Sequence, residues 1–381
     1  MRVANAWVPS ATAFDADALM AAAARSEGRH FVSHDFAEGF RVLCANIESD
    51  ARLHATGRAI TRGRLVGALR TRLRLEAARE NEPERFTRSM PRPIIICGLP
   101  RTGTTLLHRL LAGAGLRALR TWEALDPVPG PERRKIRQAQ LAERALAAMA
   151  PSFFAVHPID AGGVEEEVLL FEPTFHSMVP PATMRVPGYL EWYERTDATP
   201  AYREVRAILA GLGGGERWVL KTPQHVEWLD VLAATFPDAL LVWTHRDPRE
   251  VAPSYFSLIA HGRGVLSDEV DPREIGSEWR RKLRRMITRG LAARARLGDD
   301  RFVDVPYRQL VADPHGTVLD LLRRADWEIT EATHFGIASA RRRQTPGRHG
   351  AHRYALEDFG ISPTAIDDDL AAYRDQHGDH F

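Results

Sequence analysis

A stretch in the first third of the chain combines glycines, an arginine and hydroxyl side chains. Residues 98–105 read GLPRTGTT, after an apolar run and before the helical pattern LLHRLLAGAG. A glycine-bounded loop between a strand and a helix presents backbone N–H groups and the positive end of the helix dipole to an anion. The pattern therefore predicts a phosphate-binding loop. Its expected contacts are Arg101, Thr102, Gly103, Thr104 and Thr105.

The glycine spacing GxxxxG is that of a nucleotide P-loop, but the cation stands elsewhere. ATPases and GTPases carry a lysine directly after the second glycine, where this chain has Thr104. The cationic side chain is Arg101, two residues before Gly103. Because such a loop is poorly suited to γ-phosphoryl transfer with Mg²⁺, it favours a different phosphate ester.

A second anion-binding pattern lies in HRDPREVAPSYFSL. Arg246 stands at the end of an apolar run, and Ser254 follows eight residues later inside the next helical pattern. Arginine offers a planar fork of donors and serine a hydroxyl, so the two can hold one phosphate from two sides. The alternative is an arginine that caps the turn through Asp247.

Apolar runs that alternate with helical patterns must position these motifs. Four runs favour buried strands, at 94–97, 217–223, 238–248 and 301–307. The alternation predicts an α/β fold with right-handed crossovers, namely a P-loop-like parallel sheet flanked by helices. Ligands of such sheets bind at the carboxyl ends of the strands, which the loop at 98–105, Lys221 and Arg246 all follow.

The chain divides by pattern into two parts. Residues 1–90 are helical throughout, with patterns at 15–26, 36–49 and 64–84. They predict a helical N-terminal extension that packs on the main domain or on a second subunit. Residues 91–381 form the predicted α/β domain. Within it, the stretch around 155–200 mixes acids, aromatics and prolines, which is typical of an insertion that lines a substrate site.

Composition excludes several classes of protein. The 381 residues are 44% apolar and 27% charged, and 52 basic against 50 acidic residues give a net charge of +2, so neither nucleic acid nor an anionic membrane is required as a partner. The two cysteines cannot form a disulfide framework, and the scattered histidines predict no metal site. The N-terminus lacks a continuous apolar segment of the signal-peptide type, and no window approaches 18 uninterrupted apolar residues. We expect a cytoplasmic protein without stable membrane insertion.

GLPRTGTTLL resembles the 5′-phosphosulfate-binding loop of sulfotransferases that use 3′-phosphoadenosine 5′-phosphosulfate (PAPS). The form is that of bacterial members, with arginine where cytosolic enzymes carry lysine. The resemblance covers about residues 90 to 375 and implies a sulfotransferase-like domain with PAPS as the co-substrate. It assigns the 3′-phosphate to Arg246 and Ser254. It adds Arg348 and Gly350 from RHGAHRY, where His349 replaces the family's lysine.

The resemblance also implies catalytic groups. Lys221 in LKTP matches the family's KTP or KSP motif, whose lysine is catalytic, and an ammonium there can neutralise charge on the departing oxygen. A lysine at a strand end can instead simply extend its ammonium to solvent. The transfer needs a base, but Pro223 stands where cytosolic enzymes carry their histidine. The candidates for the base are Glu166, Glu167 and His225.

The expected function is transfer of a sulfuryl group from PAPS to a hydroxyl, or secondarily an amine, of a small or lipid-like acceptor, without a metal. Two alternatives remain: a P-loop nucleotide kinase or nucleoside-triphosphate hydrolase, and a non-catalytic nucleotide-binding protein. A homo-oligomer is compatible with the sequence. Five aromatic residues of the insertion suit an apolar acceptor pocket or plain core packing, namely Phe171, Phe175, Tyr189, Trp192 and Tyr193.

Overall fold

A four-stranded parallel sheet lies at the centre of the protein. The computed structural model describes residues 13–149, 160–343 and 355–381. Its strands are β1 (Ile94–Gly98), β2 (Val219–Lys221), β3 (Leu240–His245) and β4 (Phe302–Pro306). Their order across the sheet is β2-β1-β3-β4, and each neighbouring pair is parallel. The predicted α/β fold with a parallel sheet is therefore confirmed.

Helices occupy most of the remaining described chain. Before β2 they are α1 (Ala16–Glu27), α2 (Ala37–Asp50), α3 (Ala55–Asn81), α4 (Thr104–Gly113), α5 (Thr121–Leu125), α6 (Glu132–Met149), α7 (Val179–Thr183), α8 (Pro187–Arg195) and α9 (Thr199–Gly213). After β2 they are α10 (Leu229–Thr235), α11 (Pro248–Gly264), α12 (Pro272–Leu297), α13 (Tyr307–Ala312), α14 (Pro314–Arg324), α15 (Glu331–Arg343), α16 (Pro363–Asp369) and α17 (Ala371–His377). In the described ranges, none of these helices is both long and apolar enough to cross a membrane.

The apolar sequence of β1 follows from its central position. All five of its residues are buried, as expected for a strand covered by helices on both faces. Ile94 and Ile96 pack with apolar residues of α4, α14 and α15. Ile95 and Cys97 face the other side, where the N-terminal helices and α12 contribute to the core. Successive side chains of a strand point to opposite faces, so this one strand joins the two halves of the core.

The N-terminal helices pack against the rest of the chain rather than standing apart. Buried side chains of α1, α2 and α3 belong to the same apolar core as β1 and α12. The pattern of α3 began at residue 64 in the sequence, whereas the helix begins at Ala55. His54 caps it, since its Nδ1 accepts a hydrogen bond from the N–H of Gly57 at 2.8 Å. The division into an extension and a main domain stays a prediction.

The stretch between α6 and β2 forms a 3₁₀ turn (Glu167–Thr174) followed by α7, α8 and α9. Four of the five aromatic residues considered for an acceptor pocket are core residues, with exposed fractions of 0 to 3%. They are Phe171, Phe175, Tyr189 and Tyr193. Trp192 is half-buried. Core packing, rather than an open apolar pocket, explains this group.

Candidate active site

The loop after β1 closely approaches β3. Gly98 has φ 148°, and a Cβ built on it would lie 2.3 Å from Thr244 Oγ1, so only glycine fits there. Thr102 is fully buried and donates its hydroxyl proton to the Leu99 carbonyl at 2.7 Å, while its oxygen also lies 2.6 Å from Thr244 Oγ1. The hydroxyl of Thr102 therefore shapes the loop, which leaves its backbone N–H as the group that can face an anion.

Helix α4 starts directly from this loop. Gly103 is its N-cap with φ 87°, and a Cβ there would lie 3.0 Å from side-chain atoms of Tyr307 and Leu310. Because glycine has no side chain with which to cap a helix, the first N–H groups of α4 have no intrahelical or N-cap side-chain acceptor. Such an N-terminus binds anions. The predicted cradle geometry is thus present at 98–105.

The two predicted arginines meet beside this loop. Arg101 adopts a left-handed conformation with φ 69°, and its Nε donates a hydrogen bond to Ser254 Oγ at 3.0 Å. Arg246 Nη1 donates to the Arg101 carbonyl at 3.0 Å, and its guanidinium lies 4.3 Å from the ring centre of Tyr307. Arg246 Nε also donates to Glu250 Oε2 at 2.9 Å. Arg101, Ser254 and Arg246 therefore lie together at the carboxyl ends of β1 and β3.

Tyr307 and Glu250 are contacts that the sequence analysis missed. Glu250 lies in the first turn of α11, four residues after Arg246, which precedes the helix, and the two side chains form an ion pair. Tyr307 directly follows β4, the neighbour of β3. The position of Tyr307 could have been inferred once the strands had been ordered, and that of Glu250 from its spacing to Arg246.

Lys221 ends β2 and is 2% exposed. Its Nζ donates to Thr105 Oγ1 in the first turn of α4 at 3.3 Å, and it also pairs with Glu166 Oε1. Its backbone N–H donates to Glu167 Oε2 at 2.8 Å. Two adjacent glutamates thus bind the same lysine, one at the ammonium and one at the main chain.

Glu167 and His225 lie behind Lys221, with exposed fractions of 1 and 2%. Glu167 Oε1 is 2.6 Å from His225 Nε2, and His225 Nδ1 is 3.0 Å from the hydroxyl of Tyr202. Burial by itself raises the pKa of Glu167. The hydrogen bond and charge of His225 and the Lys221 N–H outweigh it, so the net pKa is lowered and the carboxylate is ionised.

A small cavity adjoins the Lys221 ammonium. Its polar lining includes Thr105, His108, Arg109, Glu165, Glu166 and Lys221. His108 Nε2 lies 3.3 Å from the Val219 carbonyl. Burial, followed by the charge of Lys221, lowers the pKa of His108 to about 3, so the ring is neutral at neutral pH. His108 was missed from the sequence, although its place four residues after Thr104 puts it on the same side of α4.

The structure separates the three candidates for the base. Glu166 lines the cavity. Glu167 and His225 are bonded to each other within the core. Arg348 and Gly350, expected to contact the 3′-phosphate, lie outside the described residues.

Away from the loop, the fold gathers histidines that the sequence disperses. Among the described residues, His245, Asp304 and His377 bring potential ligand atoms within 4.8 Å of one another. Arg294 donates to both oxygens of Asp304 at 2.6 and 2.8 Å, and the Tyr373 hydroxyl lies 2.8 Å from His245 Nδ1. Hydrogen bonds within the group hold His245 and Asp304 in place. A reaction without a metal stays a prediction.

Comparison with known proteins agrees with this geometry. The model of the sulfotransferase family matches residues 93–331. The crystal structure of sulfotransferase STF1 from Mycobacterium tuberculosis H37Rv is 33% identical, with a TM-score of 0.82 over 93% of this chain and 98% of that chain. The crystal structure of sulfotransferase STF9 from Mycobacterium avium is 24% identical, with a TM-score of 0.88 over 97% of this chain and 98% of that chain, and supports the fold alone. No curated protein matches the chain.

The family match extends from the residue before β1 to the start of α15. It therefore includes the whole sheet, the loop at 98–105, Lys221 and the Arg246–Ser254 motif. On this match and on the likeness to STF1, the chain belongs to the sulfotransferase family.

Proposed function

We propose that the protein transfers a sulfuryl group from PAPS to a hydroxyl of a small or lipid-like acceptor, with an amine as the second choice of nucleophile. One observation carries the proposal. Arg101, Ser254 and Arg246 are linked by hydrogen bonds of 3.0 Å at the sheet edge where α4 begins. Cations at neighbouring strand ends suit a donor with two anionic ends, because hydrogen bonds from arginine to phosphate are strong.

Each residue then has a role. Arg101 to Thr105 hold the 5′ end of the donor, and Arg246 with Ser254 holds the 3′-phosphate. The loop depends on its glycines, because a Cβ at Gly98 would overlap Thr244 and a Cβ at Gly103 would press on Tyr307 and Leu310. Lys221, whose ammonium contacts Thr105 at the start of α4, would compensate charge on the phosphate oxygen that departs from sulfur.

In the proposed reaction, Glu166 accepts the proton of the acceptor hydroxyl while the acceptor oxygen bonds to sulfur. The bond between sulfur and the bridging phosphate oxygen breaks, and Lys221 compensates the charge that builds on that oxygen. Glu166 and Lys221 already contact each other beside the cavity. An entering acceptor would separate this ion pair, so that each group meets its own partner.

The first test is ligand-dependent thermal stability. We expect 3′-phosphoadenosine 5′-phosphate (PAP) to raise the melting temperature more than ATP with Mg²⁺ does, because two phosphate sites are engaged. The Ser254→Ala variant should reduce the PAP effect. Larger stabilisation by ATP with Mg²⁺ would instead support a kinase or triphosphate hydrolase. Release of PAP from PAPS then separates an enzyme from a non-catalytic nucleotide-binding protein.

We also propose a cytoplasmic location. Cys44 and Cys97 are free and buried, as suits a reducing compartment. The oligomeric state stays a prediction that size-exclusion chromatography with light scattering can test.

A further inference from the structure

A chain of hydrogen bonds runs through the core behind Lys221. Its members are Tyr202 on α9, His225 in the turn after β2, Glu167 at the start of the 3₁₀ turn, and the backbone of Lys221. The distances are 3.0 Å from Tyr202 to His225, 2.6 Å from His225 to Glu167, and 2.8 Å from Glu167 to the Lys221 nitrogen. The side chains are between 1 and 2% exposed, so water does not compete for these bonds.

The chemistry of the members sets the direction of the two bonds to Glu167. An ionised Glu167 only accepts, and the Lys221 N–H only donates, so His225 must donate from Nε2. Its other ring nitrogen, Nδ1, is bonded to the hydroxyl of Tyr202, which carries one proton. Burial raises the pKa of Tyr202 well above its usual value, which keeps that proton on the phenol. Each member of this hydrogen-bond chain thus has a partner.

This chain also determines where Glu166 points. The backbone of Glu166 is extended, with φ −77° and ψ 142°, and successive side chains of extended backbone diverge. Because Glu167 is fixed inward on the Lys221 N–H, Glu166 turns to the cavity and meets the Lys221 ammonium. A fixed orientation of Glu167 therefore positions both the proposed base, Glu166, and the proposed catalytic lysine, Lys221.

We propose that Tyr202, His225 and Glu167 are positioning residues for Lys221 and Glu166, with Tyr202 as the outermost member. The inference rests on the proposed function and extends it to a residue that no motif marks. Glu167 and His225 act through Lys221 and its neighbour, and the proton of the acceptor goes to Glu166.

Tyr193 offers a matched control for Tyr202. Tyr193 is 0% exposed and Tyr202 is 1% exposed. The hydroxyl of Tyr193 accepts a hydrogen bond from Trp228 Nε1 at 2.8 Å and takes no part in the hydrogen-bond chain behind Lys221. Tyr202→Phe and Tyr193→Phe each remove one buried hydroxyl. Both should lower the melting temperature. A positioning role predicts in addition that only Tyr202→Phe changes turnover.

The experiment measures PAP affinity by calorimetry and PAP release from PAPS across pH for both variants and for Glu167→Gln. We expect the PAP affinity of Tyr202→Phe to stay within about twofold of the wild-type value. Its turnover should fall about tenfold, since a tenfold change corresponds to one lost hydrogen bond. The acidic limb of its pH profile should also shift. Glu167→Gln should lower turnover further. Equal turnover in Tyr202→Phe and Tyr193→Phe would overturn the proposal.

A second readout does not depend on turnover. ¹⁵N spectra of the His225 ring should show a proton on Nε2 in the wild-type protein, and a changed Nδ1 signal in Tyr202→Phe, where the hydroxyl partner is lost. Identical ring signals in the wild-type protein and the variant would contradict the hydrogen bond between Tyr202 and His225. If the wild-type protein neither binds PAP nor releases it from PAPS, the proposed function fails, whereas the ring spectra still decide on the hydrogen-bond chain.

Discussion

Arg101 shows how single residues prepare the proposed donor site. Its left-handed backbone, with φ 69°, costs a residue other than glycine about 1–2 kcal/mol. Such conformations persist where surrounding contacts hold them, and ligand sites are common among these places. Here the carbonyl of Arg101 accepts from Arg246 and its side chain donates to Ser254. The three residues are thus organised before an anion arrives.

Arg246 should therefore contribute more to the affinity for PAP than its charge alone would. We expect Arg246→Met to weaken PAP binding about 10- to 100-fold in calorimetry, because charge-assisted hydrogen bonds contribute about 1.5–3 kcal/mol. Arg249 provides the control, since it lies three residues further on and binds Asp367 instead. Arg249→Met should leave PAP affinity unchanged. Similar losses of PAP affinity in both variants would mean that Arg246 acts only through its positive charge.

Glu166 can be tested as the base against its neighbour. Both Glu165 and Glu166 line the cavity, but Glu166 pairs with the Lys221 ammonium, while Glu165 Oε1 accepts the Glu166 N–H at 2.9 Å. Loss of a general base lowers rates by about 10²–10⁴-fold. We expect that fall in PAP release for Glu166→Gln, at unchanged PAP affinity, and a much smaller fall for Glu165→Gln. The reverse order would assign the base to Glu165.

At the scale of elements, the sequence located the sheet and the loop because their signals are local. An apolar run between turn residues marks a strand buried on both faces, and glycines mark the conformations that other residues avoid. Glu166 and Glu167 could not be told apart in this way. They are adjacent residues of one type, and their opposite directions depend on His225, more than fifty residues later. The aromatic residues of the insertion were ambiguous because burial and pocket lining favour the same residue types.

The junction of β1 and the loop depends on the missing side chain of Gly98. We expect Gly98→Ala to lower both the free energy of unfolding and PAP affinity, because a Cβ would overlap Thr244 Oγ1 at 2.3 Å. The expected loss is about 2–5 kcal/mol, from backbone strain and overpacking together. Gly215→Ala is the control: its φ is 90°, yet nothing lies within 4 Å of the added Cβ. It should show the strain of about 1–2 kcal/mol alone and keep PAP affinity.

Urea unfolding of the two glycine variants separates these contributions. A loss in Gly98→Ala no larger than that in Gly215→Ala would mean that β3 moves away to accept the new methyl group. In that case the close contact between the loop and β3 would not be what fixes the cradle.

At the scale of the whole molecule, the core encloses histidines that stay neutral. Burial lowers the pKa of His108 to about 3 and those of His176 and His377 to about 4. His245 is lowered as well, by burial against the opposing hydrogen bond of Asp304. Among the described residues, both ring nitrogens of His176 are buried without a hydrogen-bond partner. The ring packs against the aromatic rings of Tyr193, Trp192 and Trp228.

These histidines should make the fold sensitive to mild acid. Their folded pKa values lie below the unfolded value of 6.5, so below pH 6.5 the unfolded chain binds protons that the folded chain does not. The free energy of unfolding has its full value above pH 6.5. It falls toward pH 4 by about 1.4 kcal/mol per pH unit for each such histidine. Urea unfolding of His176→Phe should show a slope shallower by that amount, whereas His30→Asn, at an exposed position, should keep the wild-type slope. A free energy of unfolding that stays level from pH 6.5 to 5 in the wild-type protein would mean that the core opens to these rings before it unfolds.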